Sequence, residues 1–274
     1  NTLQYYGYNP DDTSFKSEDV RQIFNNYGGS VGFHNIGDNP LNMDFGLKVG
    51  VDGIRDINKN KEIHPFVTGW GEKKLENKSI AGSEVSYEYF SYSGVTEHDN
   101  SLIGVKPYYK MITDQWSLNA GIETKVDKAS NAYVLPDAVF SYDLIGDKFV
   151  FVAGWEGHLQ VNSFANIVEE NPFVKDTLVF KNTSINEIHA GLRGATYGNF
   201  SFMVKGYQKL AMDMPFYVTD SADTKRFDII YADATIWGGN LELSYFDADR
   251  FRVTGSLNVF TFSEVDIINK PYHR

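Results

Sequence analysis

Phe149–Val161 reads FVFVAGWEGHLQV. Its odd positions, Phe149, Phe151, Ala153, Trp155, Gly157, Leu159 and Val161, form one apolar series. Its even positions, Val150, Val152, Gly154, Glu156, His158 and Gln160, turn polar halfway along. Side chains of a strand alternate between faces, so the stretch predicts a two-faced strand. At about 3.3 Å per residue it spans roughly 43 Å, against about 17–20 Å for an ordinary strand. An apolar face of that length has to lie against a second sheet or against lipid.

The same alternation recurs along the chain. LNMDFGLKVGV sets Leu41, Met43, Phe45, Leu47, Val49 and Val51 against Asn42, Asp44, Gly46, Lys48 and Gly50. WSLNAGIETKV, Trp116 to Val126, repeats the pattern, and so do ATIWGGNLELSYF and FRVTGSLNVFTF near the C-terminus. About twelve such segments are expected, with boundaries uncertain by a few residues. Tight connections rich in Asp, Gly and Asn are predicted at Thr113–Gln115, Ile145–Lys148, Ala195–Asn199 and Asp247–Arg250. Longer ones are predicted at Asp52–Glu62, Ser93–Asn100, Asn162–Ser184 and Ala211–Asp233. Short and long connections then alternate, which in an up-and-down meander puts the long ones at one end. Outer-membrane barrels have that asymmetry, and a β-sandwich has no need of it.

Composition agrees. The 274 residues include 17 Tyr, 20 Phe, 4 Trp and 24 Gly, a strand-and-turn mixture. With no Cys there is neither a disulfide framework nor thiolate chemistry. A net charge of −11 leaves no basic stripe for a nucleic-acid phosphate backbone. No apolar run approaches the roughly 20 residues of a membrane helix, a result that a transmembrane barrel gives as readily as a water-soluble chain. The polar faces carry both signs of charge, among them Lys48, Glu123, Lys125, Glu187 and Lys205, as in a wet lumen. A solvated outer face of an antiparallel sheet carries the same signs, and strand length with loop asymmetry favours the barrel.

Residues 1–25 show no clean period and are expected to form an irregular N-terminal segment, with Ser17–Phe24 as a short helix capped by Ser17. Residues 26–274 are expected to form the barrel region. INKPYHR, Ile268 to Arg274, reads as a loop with no closing strand after it, so a piece of a longer barrel or an unusual member is expected.

NSFANIVEENPF (Asn162–Phe173), KNTSINEIHAGLRG (Lys181–Gly194), NFSFMVKGYQKLAMDMPFYV (Asn199–Val218) and RFDIIYADATIWGGNLELSYF follow one another. This order resembles the barrel region of TonB-dependent-receptor-like outer-membrane proteins of the Bacteroidetes type, over about residues 80–274. The resemblance implies an all-β antiparallel barrel in the outer membrane, with the lipid bilayer as partner and uptake or reception of a small nutrient as its role. It departs from the family in showing no recognisable plug domain or energy-coupling box near residue 1 and no terminal aromatic strand. The alternative is a soluble exported all-β ligand-binding module; strand runs of 10–13 residues favour the barrel, runs of 5–7 the module.

No motif points to an enzyme. The six histidines are scattered without metal-ligand spacing, and there is no nucleophile elbow or phosphate loop, so no metal and no cofactor are expected. Asp56, Asn58, Asn60 and Glu62 resemble the start of a calcium loop, but Lys61 and Val67 stand where Gly and Glu belong, so a solvated loop tip is expected. Glu156 and His158 share a face and are expected to meet in the lumen. Phe173, Phe216 and Tyr217 are apolar groups in predicted long loops that must pack into the lumen, onto each other or onto a ligand. These residues are the candidate contacts for a small-molecule or glycan ligand. Cut from a longer barrel, the sheet is expected to form a homo-oligomer or strand-swapped dimer, because open edges seek pairing.

Overall fold

The computed structural model describes residues 21–37, 39–75, 78–146, 148–195, 199–221, 226–247 and 250–265. In chain order the elements are β1 (Phe24–His34), β2 (Met43–Asp56), β3 (Lys61–Lys74), β4 (Ile80–Ser93), β5 (Glu97–Ile112) and β6 (Trp116–Asp127). There follow β7 (Ala132–Asp143), β8 (Phe149–Val161), α1 (Phe164–Glu170), β9 (Asn182–Ala195), β10 (Phe200–Thr219), β11 (Phe227–Asp247) and β12 (Phe251–Val265). The strands form one 12-stranded sheet whose spatial order is the sequence order. Every neighbouring pair is antiparallel, and strands run from 11 residues in β1 to 21 in β11. A tilted transmembrane strand needs only about 9–11, so β10 and β11 reach well beyond a bilayer. Among the described residues β1 and β12 do not pair with each other, so the sheet is an open trough.

Register fixes the two faces. Leu47, Val85, Val105, Trp155, Leu241 and Leu257 stand exposed on the outer face. Their strand neighbours Lys48, Glu84, Lys106, Glu156, Asn240 and Asn258 line the inner one. Near the strand ends at one rim, which we term the lower rim, aromatic pairs border the outer face. The ring centroids are 6.3 Å apart for Trp116–Phe140, 5.9 Å for Phe149–Phe202 and 5.9 Å for Tyr245–Phe251. Aromatic girdles of this kind flank the apolar band of transmembrane barrels. Trp70 lies on the inner face, over Gly46 of the paired strand.

If the outer face meets lipid, the two faces of β11 respond differently to charge. Leu241→Arg is expected to destabilise the folded barrel by about 2 kcal/mol, whereas Asn240→Arg costs well under half of that. Urea midpoints of the heat-modifiable form check this; equal costs would remove the distinction between faces.

Several expected connections turn out to be strand. Asp52–Glu62 and Ser93–Asn100 contain only the turns 57–60 and 94–96, because their polar residues belong to strand ends rather than to loops. Ala211–Asp233 is mostly the upper halves of β10 and β11. A bulge between Ala211 and Met214, with Asp213 at φ 53°, breaks the alternation there and mimics a loop. Only the connection between β8 and β9 is long, so the expected alternation of short and long connections does not hold. At the N-terminus, Ser17 and the rest of the expected helix up to Val20 lie outside the described residues, and Phe24 opens β1. Ile268–Arg274 also lies outside them.

Candidate functional site

The segment 162–181 leaves the upper rim between β8 and β9 and folds back across the trough. Its root is tied: the Asn162 side-chain amide donates to the Lys181 carbonyl at 2.8 Å and to the Thr183 hydroxyl at 2.7 Å. Ser163 caps α1, its side chain accepting from the Asn166 amide. One flank docks on β3. The Glu62 carboxylate, 3% exposed, accepts the backbone N–H groups of Phe164 at 2.6 Å and Ala165 at 3.3 Å. The Asn60 amide donates to Asp56 at 2.8 Å and to Asp176 at 3.0 Å, and its oxygen accepts from the Tyr92 hydroxyl at 3.1 Å. The other flank docks on the β10–β11 hairpin. Tyr217 donates to Glu170 at 3.0 Å, Lys175 pairs with Asp228 at 2.6 Å, and Val174 forms a parallel bridge with Phe227. Between the flanks lies a core of Phe164, Ile167, Val168, Phe173, Val174 and Leu178 against Ile54, Tyr92, Tyr217, Phe227 and Ile229. The segment therefore straps strands from opposite sides of the sheet to one another.

Two hollows adjoin the strap. The upper one, about 370 Å³, has an aromatic wall of Phe90, Tyr92, His98 and Phe180, with polar Asp99, Asn100, Asp127, Asn131 and Tyr133 around it. The His98 and Phe180 rings stack at 4.9 Å. The lower hollow, about 830 Å³, opens on the inner face beside His64, Glu88, Lys125, His158 and Gln160. Glu62, Phe90, Val161 and Ser163 line both, so they form the wall between the two hollows.

The inner face around the lower hollow is charged, and Glu88 and Glu123 on it are paired. Glu88 lies 3.3 Å from His64 and 3.4 Å from Lys125, which also lies 3.4 Å from Glu123. Further along, Glu187 binds Lys205 at 2.7 Å and Lys209 at 3.0 Å, and His189 stands 3.3 Å from Glu187 and 3.4 Å from Glu156. Inner-face rings sit over glycines of the neighbouring strand: Phe66 over Gly50, Tyr108 over Gly82, His189 over Gly154 and Tyr207 over Gly238. A Cβ at Gly154 would lie 2.5 Å from the His189 ring, so this glycine leaves the imidazole its place between the two carboxylates.

The structure separates the five residues singled out from the sequence. Glu156 and His158 both face the trough, but the contact of Glu156 is with His189, which stands opposite Gly154, four strand positions from His158. His158 lines the lower hollow. Phe173 and Tyr217 are joined in the core beneath the strap, and Phe216, 2% exposed, packs on Phe262 at 6.1 Å. The apolar groups thus settle on each other. The expected solvated tip holds for Asn58, which is exposed, but not for its neighbours: Asp56, Asn60 and Glu62 are 6%, 2% and 3% exposed, Asn60 and Glu62 serve as docking points for the strap, and Asp56 holds Asn60 in place. Their roles depend on partners more than 100 residues away, Glu62 on Phe164 and Asn60 on Asp176. A local signal did exist. Asp56 and Asn60 recur as Asp127 and Asn131, each Asp carboxylate accepting the Asn backbone and side-chain N–H groups four residues on. Lys59 and Ser130 take the same place in the two turns, with φ of 71° and 67°.

No protein family matches the sequence, and no curated protein does. Solved structures do resemble the fold. The siderophore receptor PirA of Pseudomonas aeruginosa superposes with a TM-score of 0.66 at 10% identity, over 88% of this chain and 48% of that one. The outer membrane transporter YddB of Escherichia coli gives 0.62 at 11% identity, over 88% and 43%. The FrpB iron transporter of Neisseria meningitidis gives 0.57 at 10%, over 88% and 44%. At such identities the likeness shows the fold alone, an antiparallel up-and-down sheet like the barrel wall of these outer-membrane proteins. The chain spans less than half the length of these structures.

Proposed function

We propose that this chain is barrel wall from an outer-membrane transporter or receptor that binds a small polar solute in the hollows beside its strap. The observation that carries the proposal is the two-faced, 12-stranded meander with lipid-type residues outside and paired charges of both signs inside, narrowed by the strap. The proposed role is binding and passage, not catalysis. The aromatic wall of the upper hollow, with amides and carboxylates beside it, suits a glycan or another hydroxyl-rich nutrient, which offers both apolar faces and hydrogen bonds. Glu156 and His158 then belong to the wet path below. Phe173, Phe216 and Tyr217 hold the strap and its hairpin rather than the solute. The structural neighbours include a siderophore receptor and an iron transporter; the aromatic and amide lining favours a hydroxyl-rich solute here, in keeping with the Bacteroidetes-type texture of the sequence. The open edges of β1 and β12 are covered, in this proposal, by further strands of a longer chain or by another copy.

The test uses the full-length protein in its native cell. Outer-membrane fractionation with a heat-dependent gel shift is expected, together with slower uptake of its nutrient when the gene is removed. A freely soluble protein with no shift would overturn the proposal in favour of an exported binding module.

A further inference from the structure

We infer that Asn131 is the residue that reads the solute in the upper hollow, and that the solute it selects is a neutral glycan. The two Asp–Asn turns of the upper rim point to it. In each, the Asp carboxylate accepts the backbone and side-chain N–H groups of the Asn four residues on, at 2.8 Å each in the first turn and at 2.8 and 2.9 Å in the second. In the first turn the rest of the amide is used as well: the Asn60 nitrogen also donates to Asp176 of the strap, and its oxygen accepts from Tyr92. In the second turn no described residue takes either group, and Asn131 is exposed on the wall of the hollow. The amide that fastens the strap in one turn is presented to the hollow in the other.

An amide in this pose offers a donor and an acceptor side by side. Adjacent sugar hydroxyls return the same pair, and the apolar face of a sugar ring lies on the wall of Phe90, Tyr92, His98 and Phe180. Asp127 pins the amide in advance, so little freedom is lost on binding. Charge decides between neutral and acidic glycans. Four carboxylates, Glu62, Asp99, Asp127 and Asp213, border the hollow against two lysines, Lys128 and Lys181. Both lysines are taken, Lys181 by Asp213 at 2.7 Å and Lys128 by Asp99 at 3.9 Å, and His98 is stacked on Phe180. Among the described residues no cation is left to hold a uronate, whose carboxylate would meet a surplus of negative charge. Glu62 and Asp127 spend their oxygens on N–H donors of the chain, so an ammonium group gains little from them. The groups left open in the hollow are amides, which suit hydroxyls.

Selection of a neutral glycan presupposes the binding role proposed above and names the class of solute for that same hollow. The test uses the full-length protein, purified from its native cell in mild detergent, on an array of neutral glucans, galactans, mannans and xylans and of uronate-bearing oligosaccharides. Neutral members are expected to bind, and uronate-bearing members to bind about tenfold more weakly. Asn131→Leu is expected to weaken the neutral binding about tenfold, through two lost hydrogen bonds, while the heat-dependent gel shift stays. Because that variant also loosens its own turn, Asp99→Asn is the second: it frees Lys128 and is expected to raise uronate binding several-fold, a gain that misfolding cannot imitate. Uronates bound by the parent as tightly as neutral members, neutral binding unchanged in Asn131→Leu, or no rise in Asp99→Asn overturns the selection. A parent that shifts on the gel and binds no glycan of the array overturns it too and leaves the barrel standing. A soluble parent without a gel shift overturns the barrel instead, and neutral binding that falls in Asn131→Leu then still upholds the hollow.

Discussion

Glu62→Ala is expected to release the strap from β3 while leaving the sheet paired. The carboxylate accepts two backbone N–H groups at the start of the strap, at 2.6 and 3.3 Å, in a place where Glu62 is 3% exposed. Hydrogen bonds to a charged acceptor contribute about 1.5–3 kcal/mol each, and a buried donor left without a partner adds its desolvation cost. Burial of the carboxylate itself opposes these gains, so a net loss of about 3 kcal/mol is expected for strap closure. That corresponds to a rise of roughly 150-fold in the population with the strap lifted. Hydrogen exchange at Phe164–Val168 reads this directly, because opening bares amides that are now covered. Glu62→Gln keeps one acceptor oxygen and is expected to fall between parent and Ala. The β3–β4 amides, which lie in the ladder, keep their protection in both variants. Unchanged exchange at Phe164 in the Ala variant would remove Glu62 as the anchor and leave the apolar core as the sole fastening.

Much of the wall is legible in the sequence because a period of two survives wherever one face meets an apolar medium and the other meets water. Trp116–Val126 is the plainest case: every outer position but Thr124 is apolar, and the strand ends one residue later, at Asp127. Legibility fails where the alternation is interrupted. The single extra residue at Asp213 shifts β10 out of phase, and everything from Met212 to Tyr217 then looks like loop. It fails too where polar strand ends face the trough, as with Asp52–Asp56, since neither polarity nor Asn content distinguishes a lumen from solvent.

The site is less legible, and for a physical reason. What makes Glu62 and Asn60 important is the return of a segment 102 to 116 residues further on, which no local pattern encodes. Glu156 and His158 show the same limit on a smaller scale. Spacing along β8 suggests that they meet, but the cross-strand register brings His189 of β9 to Glu156 instead. Glycines opposite rings are a further example: Gly238 and Tyr207 are 31 positions apart, and their pairing is visible only once register is known.

Register also predicts which glycine the sheet tolerates least. At Gly191 a Cβ would lie 2.3 Å from the Val204 carbonyl oxygen and 3.0 Å from the Lys205 Cα, both backbone atoms of the paired strand β10. A ring can rotate away from an intruding methyl group, but a ladder carbonyl cannot move without giving up its hydrogen bond. Gly191→Ala is therefore expected to cost about 2–3 kcal/mol, and Gly191→Val more, through loss of β9–β10 pairing. Gly154→Ala meets the His189 imidazole at 2.5 Å, a side chain that can turn, so a smaller cost of about 1 kcal/mol is expected, with loss of the contact to Glu156. Gly206→Ala is the control on β10. No atom lies within 4 Å of its added Cβ, so stability is expected to hold or to rise by about 0.5 kcal/mol as the unfolded chain loses freedom. Urea titration of the heat-modifiable form ranks the three. If Gly206→Ala proved as damaging as Gly191→Ala, the close approach of β9 to β10 would not explain the glycine at 191. The expected order instead ties that glycine to the pairing that carries Glu187 to within reach of Lys205 and Lys209, and so to the paired charges of the inner face.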